Sequence, residues 1–279
     1  MKPQGRLFLI PAPIGDGDPL RILSPEVVEV IRGLRQFVVE SERTAGRLLS
    51  RILAPEALEE TEFHVLNEHT DPKTVAGLLE PALRGSDMGI LSEAGCPCVA
   101  DPGADLASEA HRRGIRVVPL PGPSSILLAL MASGFSGQKF EFLGYLPVKT
   151  EERRTALKRL EREALRDGST RIFIEAPYRN PALLADALAV LEPETRLCVA
   201  VSLGGASERI LSMDIHRWRS ADFSLERKPA VFLLAPKENP AALTGRPSEG
   251  HLRPGRPGTT GRRGTGPTAP RRPRKTKGA

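Results

Sequence analysis

The chain has 279 residues, three cysteines and a formal net charge of +6, which is enough length for one large or two modest domains. No apolar run reaches the ~20 residues of a membrane span, and the N-terminal segment lacks the apolar core of a signal peptide, so we expect a cytoplasmic protein without membrane contact. An odd number of cysteines excludes a complete disulfide framework, and Cys96-Pro97-Cys98 is too closely spaced for a common zinc or redox pair, so we expect no metal.

Strand-like and helical patterns alternate along the chain, which predicts an α/β protein. Most strand-like runs are continuously apolar, as in strands that are covered on both faces. Ser24 and Pro25 mark the start of a helix that ends at Leu34. Thr150 caps a helix over 151–166, and its apolar side is Ala156, Leu157, Leu160, Ala164 and Leu165. The predicted strands are Arg6–Ala12, Gln36–Val39, Met88–Ser92, Arg116–Leu120, Phe140–Leu146, Arg171–Glu175, Arg196–Ser202 and Ala230–Leu234.

A segment of small and rigid residues, 91–103 (LSEAGCPCVADPG), follows one predicted strand. Glycine and alanine expose backbone to a ligand, and proline fixes the path of the chain. In α/β sheets, ligands bind at the carboxyl ends of strands. Taken alone, this segment is most simply an ordinary strand-to-helix turn.

A second segment of this kind, 117–125 (VVPLPGPSS), precedes a helix that ends at Gly134. Ser124 or Ser125 is suited to cap that helix, whose free N–H groups would suit a carboxylate or a ribose oxygen. The two loops can form two walls of one cleft.

The stiff joint Pro119–Pro123 further predicts two α/β domains, 1–120 and 121–238, that meet closely around the cleft.

The order of five motifs resembles the tetrapyrrole methylase superfamily, which binds S-adenosylmethionine. Within it the sequence is most similar to the branch of small-subunit rRNA 2′-O-ribose methyltransferases. That branch carries an S-D-A-G-x-P loop, a D-P-G step and a V-P-G-P-S segment. The resemblance covers roughly residues 5–236. The corresponding segments here are Leu7–Gly15, Ser92–Pro97 with Asp101–Gly103, Pro121–Ser124, Phe142–Pro147 and Ile174–Arg179.

The resemblance implies two α/β domains with S-adenosylmethionine in a cleft between them, in a homodimer. It places the contacts to this methyl donor on loops and strand ends, largely through backbone atoms. The residues implied are Ile14, Ala94, Gly95, Cys96, Val99, Ser124, Ser125, Glu175, Leu203 and Ala230.

Charged residues that follow the strand ending at Val39 are candidates for the acceptor side. A ribose hydroxyl acceptor would need a base or a polarising group. We predict catalytic roles for Glu40, Arg43 and Glu93, while acidic residues at a helix start are also favourable without any function. Asp101 can instead order its own turn through an Asx-type hydrogen bond.

Two departures from the branch bear on the acceptor. Glu93 stands where the branch has Asp, and Val201–Gly205 stands where it has R-E-L-T-K. Ribosomal RNA or the small ribosomal subunit is the leading substrate or partner. A methyltransferase for a tetrapyrrole or another small molecule, and a non-catalytic protein that binds S-adenosylmethionine or RNA, are the alternatives.

The positive charge is concentrated in residues 240–279, which contain ten basic residues and one acidic residue. The rest of the chain therefore carries a net −3. With few large apolar residues, the segment 239–279 is predicted to be a disordered basic tail. It is either an RNA-binding arm that acts by phosphate neutralisation or a dispensable extension.

Overall fold

A computed structural model describes residues 3–237, so the predicted basic tail lies outside the described residues. The predicted α/β class is confirmed, with two five-stranded sheets. The strands are β1 (Arg6–Ile10), β2 (Gln36–Val39), β3 (Glu62–Val65), β4 (Met88–Leu91), β5 (Arg116–Pro119), β6 (Phe140–Tyr145), β7 (Thr170–Ile174), β8 (Arg196–Val201), β9 (Arg209–Asp214) and β10 (Ala230–Ala235). The α-helices are α1 (Pro19–Ile22), α2 (Pro25–Gly33), α3 (Glu42–Leu49), α4 (Pro55–Glu59), α5 (Glu80–Leu83), α6 (Gly103–Arg112), α7 (Ser125–Ser133), α8 (Thr150–Asp167), α9 (Asn180–Val190) and α10 (Ile215–Trp218), and a 3₁₀ turn covers Val75–Leu79.

The first sheet has the order β3-β2-β4-β1-β5, and all of its pairs are parallel. The carboxyl ends of its strands therefore meet at one edge. Its central strand β4 is fully buried, which explains its continuously apolar sequence. Strand β3 was not predicted, because this edge strand is half exposed and carries a weak apolar signal.

The second sheet has the order β6-β7-β10-β8-β9. Strands β6 and β7 are parallel, whereas the other neighbours are antiparallel. Strand β10 is buried throughout at the centre, where Phe232 stacks on Phe173. The prediction also missed β9, an edge strand whose residues are only partly buried.

The long helix α8 covers one face of the second sheet together with α9. Its predicted apolar residues Leu157, Leu160 and Ala164 are buried, but the assignment of Leu165 was wrong, since 49% of it is exposed. The N-cap is Lys149, not the predicted Thr150, because the helix begins one residue earlier.

Helix α7 covers the opposite face of the second sheet. Ser124 is its N-cap, with Oγ accepting from the Leu127 amide at 3.5 Å. Gly134 ends the helix at φ +72°. The loop after β5 thus leads from the carboxyl edge of the first sheet directly to the second sheet. The described residues 3–237 belong to one compact unit, and the domain division at residue 120 stays a prediction. Within the described part of the chain, the helices are too short or too polar to cross a bilayer.

Candidate functional site

Three loops at the carboxyl edge of the first sheet are joined to one another. Ala12 and Gly95 exchange backbone hydrogen bonds of 2.8 and 3.0 Å, which link the loop after β1 to the loop after β4. The Cys96 thiol donates to the Pro123 carbonyl oxygen at 3.3 Å and so adds the loop after β5. Gly95 has φ +75°, a conformation that side chains disfavour. The predicted segments 91–103 and 117–125 are therefore held together by hydrogen bonds at this edge of the sheet.

The loop after β4 is held in an unusual conformation. Cys98 and Ala100 have φ values of +66° and +60° on either side of Val99, which is 47% exposed. Asp101 stabilises this loop, since Oδ1 accepts from the amides of Cys98 at 2.7 Å and Gly103 at 2.9 Å. Asp101 thus makes the Asx-type turn. Backbone strain of this kind tends to collect at ligand sites.

A loop of the second sheet meets the loop after β1. Gly204 has φ +73°, and a Cβ at this position would lie 2.8 Å from the Ile14 carbonyl oxygen. A Cβ on Gly15 would lie 3.2 Å from the Gly205 amide nitrogen. Gly204 in one loop and Gly15 in the other are thus what allow the two backbones to approach. This contact gives the departure from the R-E-L-T-K pattern a packing reason.

Loops of both sheets enclose a cavity of about 810 Å³, here called the donor cavity. Its volume lies within the usual range for small-molecule sites. Nine of the predicted site residues line it. These are Ile14, Glu40, Glu93, Ala94, Val99, Ser125, Glu175, Leu203 and Ala230.

Four predicted site residues are absent from the wall that the described residues form. Gly95 and Cys96 lie in the contacts that join the loops, and Ser124 caps α7. Their geometry positions their neighbours Ala94 and Ser125, which do line the cavity. Arg43 is exposed on α3.

The donor cavity is acidic. Among the described residues, its charged wall residues are all carboxylates: Asp16, Glu40, Glu93, Asp101 and Glu175. Burial raises the pKa of Glu40 above its ordinary value, and the negative charges of Asp101, Glu93 and Glu68 raise it further. A carboxyl group with a raised pKa is a better proton acceptor once it is ionised.

Glu175, at the end of β7, presents an unusual carboxylate. Oε1 accepts from Arg179 Nη2 at 2.6 Å and from the Ala176 amide at 2.7 Å. Oε2 is buried and has no hydrogen-bond partner in the described part of the chain. Buried polar atoms are normally satisfied, so this oxygen on a cavity wall is suited to a donor group of a ligand.

A second cavity of about 200 Å³, here called the acceptor-side cavity, lies beside α3. It shares Gly15, Asp16, Glu40, Ser92 and Glu93 with the wall of the donor cavity. On its other side lie Ser41, Thr44, Arg47, Leu48 and Arg51.

Much of the wall was missed by sequence reasoning. Asp16 could have been found, because it lies two residues after the predicted Ile14. Pro229 also lines the donor cavity and directly precedes the predicted Ala230, whereas Ser207, four residues after the predicted Leu203, carries no local signal. Within residues 3–237 no cluster of three metal-ligating side chains occurs.

Comparison with known proteins relates the chain to methyltransferases. The model of the tetrapyrrole (corrin/porphyrin) methylases matches residues 6–216. Ribosomal RNA small subunit methyltransferase I of Pseudomonas aeruginosa is 33% identical over 234 residues, 83% of this chain and 79% of that protein. The crystal structure of the methyltransferase CobJ has a similar fold, with a TM-score of 0.57 at 18% identity, over 83% of this chain and 94% of that one. Uroporphyrin-III C-methyltransferase from Thermus thermophilus, complexed with S-adenosyl homocysteine, has a TM-score of 0.51 at 17% identity, over 83% and 97% of the two chains.

Proposed function

The chain belongs to the tetrapyrrole (corrin/porphyrin) methylase family, and we propose that it transfers a methyl group from S-adenosylmethionine to a ribose 2′-hydroxyl of small-subunit ribosomal RNA. The relatives at 31–33% identity named as ribosomal RNA small subunit methyltransferase I support the RNA substrate. The observation that carries the proposal is the donor cavity, whose wall combines the predicted cofactor residues with Glu40.

The donor cavity fits S-adenosylmethionine in charge and hydrogen bonding. S-adenosylmethionine carries a sulfonium, an ammonium group and one carboxylate, so its net charge is positive, and the charged wall residues described above are carboxylates. The unpartnered Glu175 Oε2 can accept from a hydroxyl or an amino group of the cofactor. Ala94 and Leu203 offer small or apolar surface where the cofactor can lie against backbone.

When bound, S-adenosylmethionine supplies a methyl carbon that is already activated by the sulfonium. The protein's task is then to orient the acceptor oxygen behind that carbon, and positioning alone can supply much of the rate. We assign Glu40 as the group that takes the ribose hydroxyl proton as the oxygen–methyl bond forms and the sulfur–methyl bond breaks. Glu93 supports Glu40 by raising its pKa.

A tetrapyrrole acceptor is the second candidate, and the solved neighbours support it through their fold alone. The acidic wall argues against it. Uroporphyrin-type tetrapyrroles carry several carboxylates, which the acidic wall residues other than the Arg179-paired Glu175 would repel. The ribose hydroxyl itself is neutral, so it meets no such repulsion where it approaches the donor cavity, provided that the phosphates of the RNA chain stay outside this cavity.

Labelled methyl transfer tests the function directly. Purified protein and labelled S-adenosylmethionine are incubated in parallel with small ribosomal subunits, with free ribosomal RNA and with a tetrapyrrole precursor. The expected result is label in the RNA, at a nucleotide that mass spectrometry shows to be methylated on its 2′-oxygen. Label in the tetrapyrrole would replace the proposal with the second candidate. Binding of S-adenosylhomocysteine without transfer to any acceptor would favour a non-catalytic role.

We also propose that the protein is a cytoplasmic homodimer that does not contact membranes, as its ribosomal substrate suggests. Exposed apolar side chains on neighbouring elements support the dimer: Leu127 and Met131 on α7, and Phe140 on the edge strand β6, with Met131 78% exposed. Apolar surface of this kind is typical of protein interfaces. Light scattering of wild type and Met131→Glu checks it, since a wild type that is monomeric would contradict the dimer.

A further inference from the structure

Two arginines line the α3 side of the acceptor-side cavity. Arg47 and Arg51 are four residues apart, so they lie on the same side of the chain where α3 ends. Arg51 donates to the Gly17 carbonyl oxygen at 3.3 Å and lies 3.7 Å from Asp18 Oδ1. Within residues 3–237, Arg47 makes neither a hydrogen bond through its side chain nor an ion pair. One guanidinium is therefore tethered to the cavity rim, and the other is available to a ligand.

The opposite side of this cavity is acidic. Glu40 and Glu93 belong to the wall that the two cavities share. The acceptor-side cavity is thus bipolar, with carboxylates toward the donor cavity and guanidinium groups on the far side. A ligand that matches both sides has a neutral hydroxyl at one end and an anion close to it.

A ribonucleotide in a chain has this arrangement, because its 2′-hydroxyl and its 3′-phosphate are carried by adjacent ring carbons. We propose that Arg47 and Arg51 bind the phosphodiester of the acceptor nucleotide, and so hold its 2′-hydroxyl at Glu40. The inference rests on the proposed function and adds to it the position and the contacts of the acceptor. Guanidinium groups are well suited to the role, since their planar donor pairs match phosphate oxygens.

A simple solvated helix face would place these cations on convex surface. Arg47 and Arg51 instead line a concave wall next to Glu40. The donor cavity provides the contrast, because its described wall has five carboxylates and lacks a lysine or an arginine. Binding of the anionic acceptor is thereby directed to one side of the shared wall.

The test compares Arg47→Gln/Arg51→Gln with wild type and with Arg84→Gln. Arg84 is also an exposed arginine, but it precedes β4 at the amino edge of the sheet, away from both cavities. Binding of small ribosomal subunits by the S-adenosylhomocysteine complex is measured across a salt series. Affinity falls as salt rises, and each lost phosphate contact makes the slope of log affinity against log salt less steep by about 0.7 to 0.9. We expect the slope of the double variant to be less steep than that of wild type by one or two such steps.

Kinetics and a conservative variant complete the test. The KM for the subunit should rise by about tenfold in the double variant, while S-adenosylhomocysteine affinity stays at the wild-type value. Arg47→Lys keeps the charge and should keep the salt slope. The single variant Arg47→Gln is measured beside it. A double variant with the slope and KM of Arg84→Gln, or an Arg47→Lys variant with a slope as shallow as that of Arg47→Gln, overturns the phosphate site while leaving the proposed function in place. A wild type that binds S-adenosylhomocysteine but labels no RNA overturns the proposed function itself, and this inference with it.

Discussion

The two cavities share one wall but differ in how they are built. The donor cavity is formed by strand ends and strained loops from both sheets, and its charged wall residues in the described chain are acidic. The acceptor-side cavity lies between the loop after β1 and α3, and it has two arginines on the side away from the shared wall. The difference shows how one fold can keep a cationic donor and an anionic acceptor apart, with Glu40 between them.

Replacing Glu40 by Gln should have the largest effect, because the residue lies on the wall that both ligands need. A positioned general base contributes roughly 100-fold or more to rate. We expect kcat for RNA methylation to fall by about that factor, with S-adenosylhomocysteine binding by calorimetry retained. Glu42→Gln is the matched control, since Glu42 is an exposed carboxylate on α3. Equal activity of the two variants would remove Glu40 from the chemistry.

Gly95→Val tests whether the donor cavity depends on its backbone. A β-branched side chain at φ +75° is strained by about 1–3 kcal/mol, and the strain acts on the paired hydrogen bonds between Gly95 and Ala12. We expect S-adenosylhomocysteine affinity to fall by about tenfold or more, with the fold retained. Gly114→Val introduces similar strain, at φ +72°, just before β5 at the other edge of the sheet. If both variants bind equally well, the loop geometry is not what holds the cofactor.

The sequence predicted the donor cavity far better than the acceptor-side cavity. Loops such as Ala94–Cys96 are recognisable because small residues, glycine and proline follow a buried strand. A cofactor site of this kind therefore leaves a local signal, even where we expect the contacts to be made largely through backbone. Arg47 and Arg51 have the spacing of an ordinary solvated helix face, and the tertiary structure shows that they line one cavity together with Glu40.

The same reason explains the errors in the fold. The buried strands β4 and β10 were predicted closely, whereas the half-exposed edge strands β3 and β9 were missed. Burial on both faces produces the apolar run that sequence reasoning detects. Closure of the donor cavity at Gly204 depends on a contact with Ile14 from the other sheet, which no local pattern encodes.

Deletion of residues 240–279 tests how much of RNA binding lies outside the two cavities. The segment carries ten basic residues and one acidic residue. If it contacts phosphates, its loss should weaken RNA affinity at low salt by about tenfold and reduce the salt slope, without changing S-adenosylhomocysteine binding. An unchanged slope would identify the segment as dispensable for binding and leave Arg47 and Arg51 as the main cationic contacts.

Glu93→Gln should have the smallest effect, and it tests the electrostatic coupling across the shared wall. The negative charge of Glu93 contributes to the raised pKa of Glu40, so its removal lowers that pKa. Only the ionised carboxylate can accept a proton, and it would then persist to lower pH. The acid limb of the kcat/KM profile should therefore move to lower pH, while the rate on the plateau changes by no more than about twofold. The charge of Glu68 makes the smallest contribution to the raised pKa of Glu40, so Glu68→Gln should move the acid limb less. An acid limb that stays in place or moves to higher pH in Glu93→Gln would show that Glu40 does not titrate in the reaction.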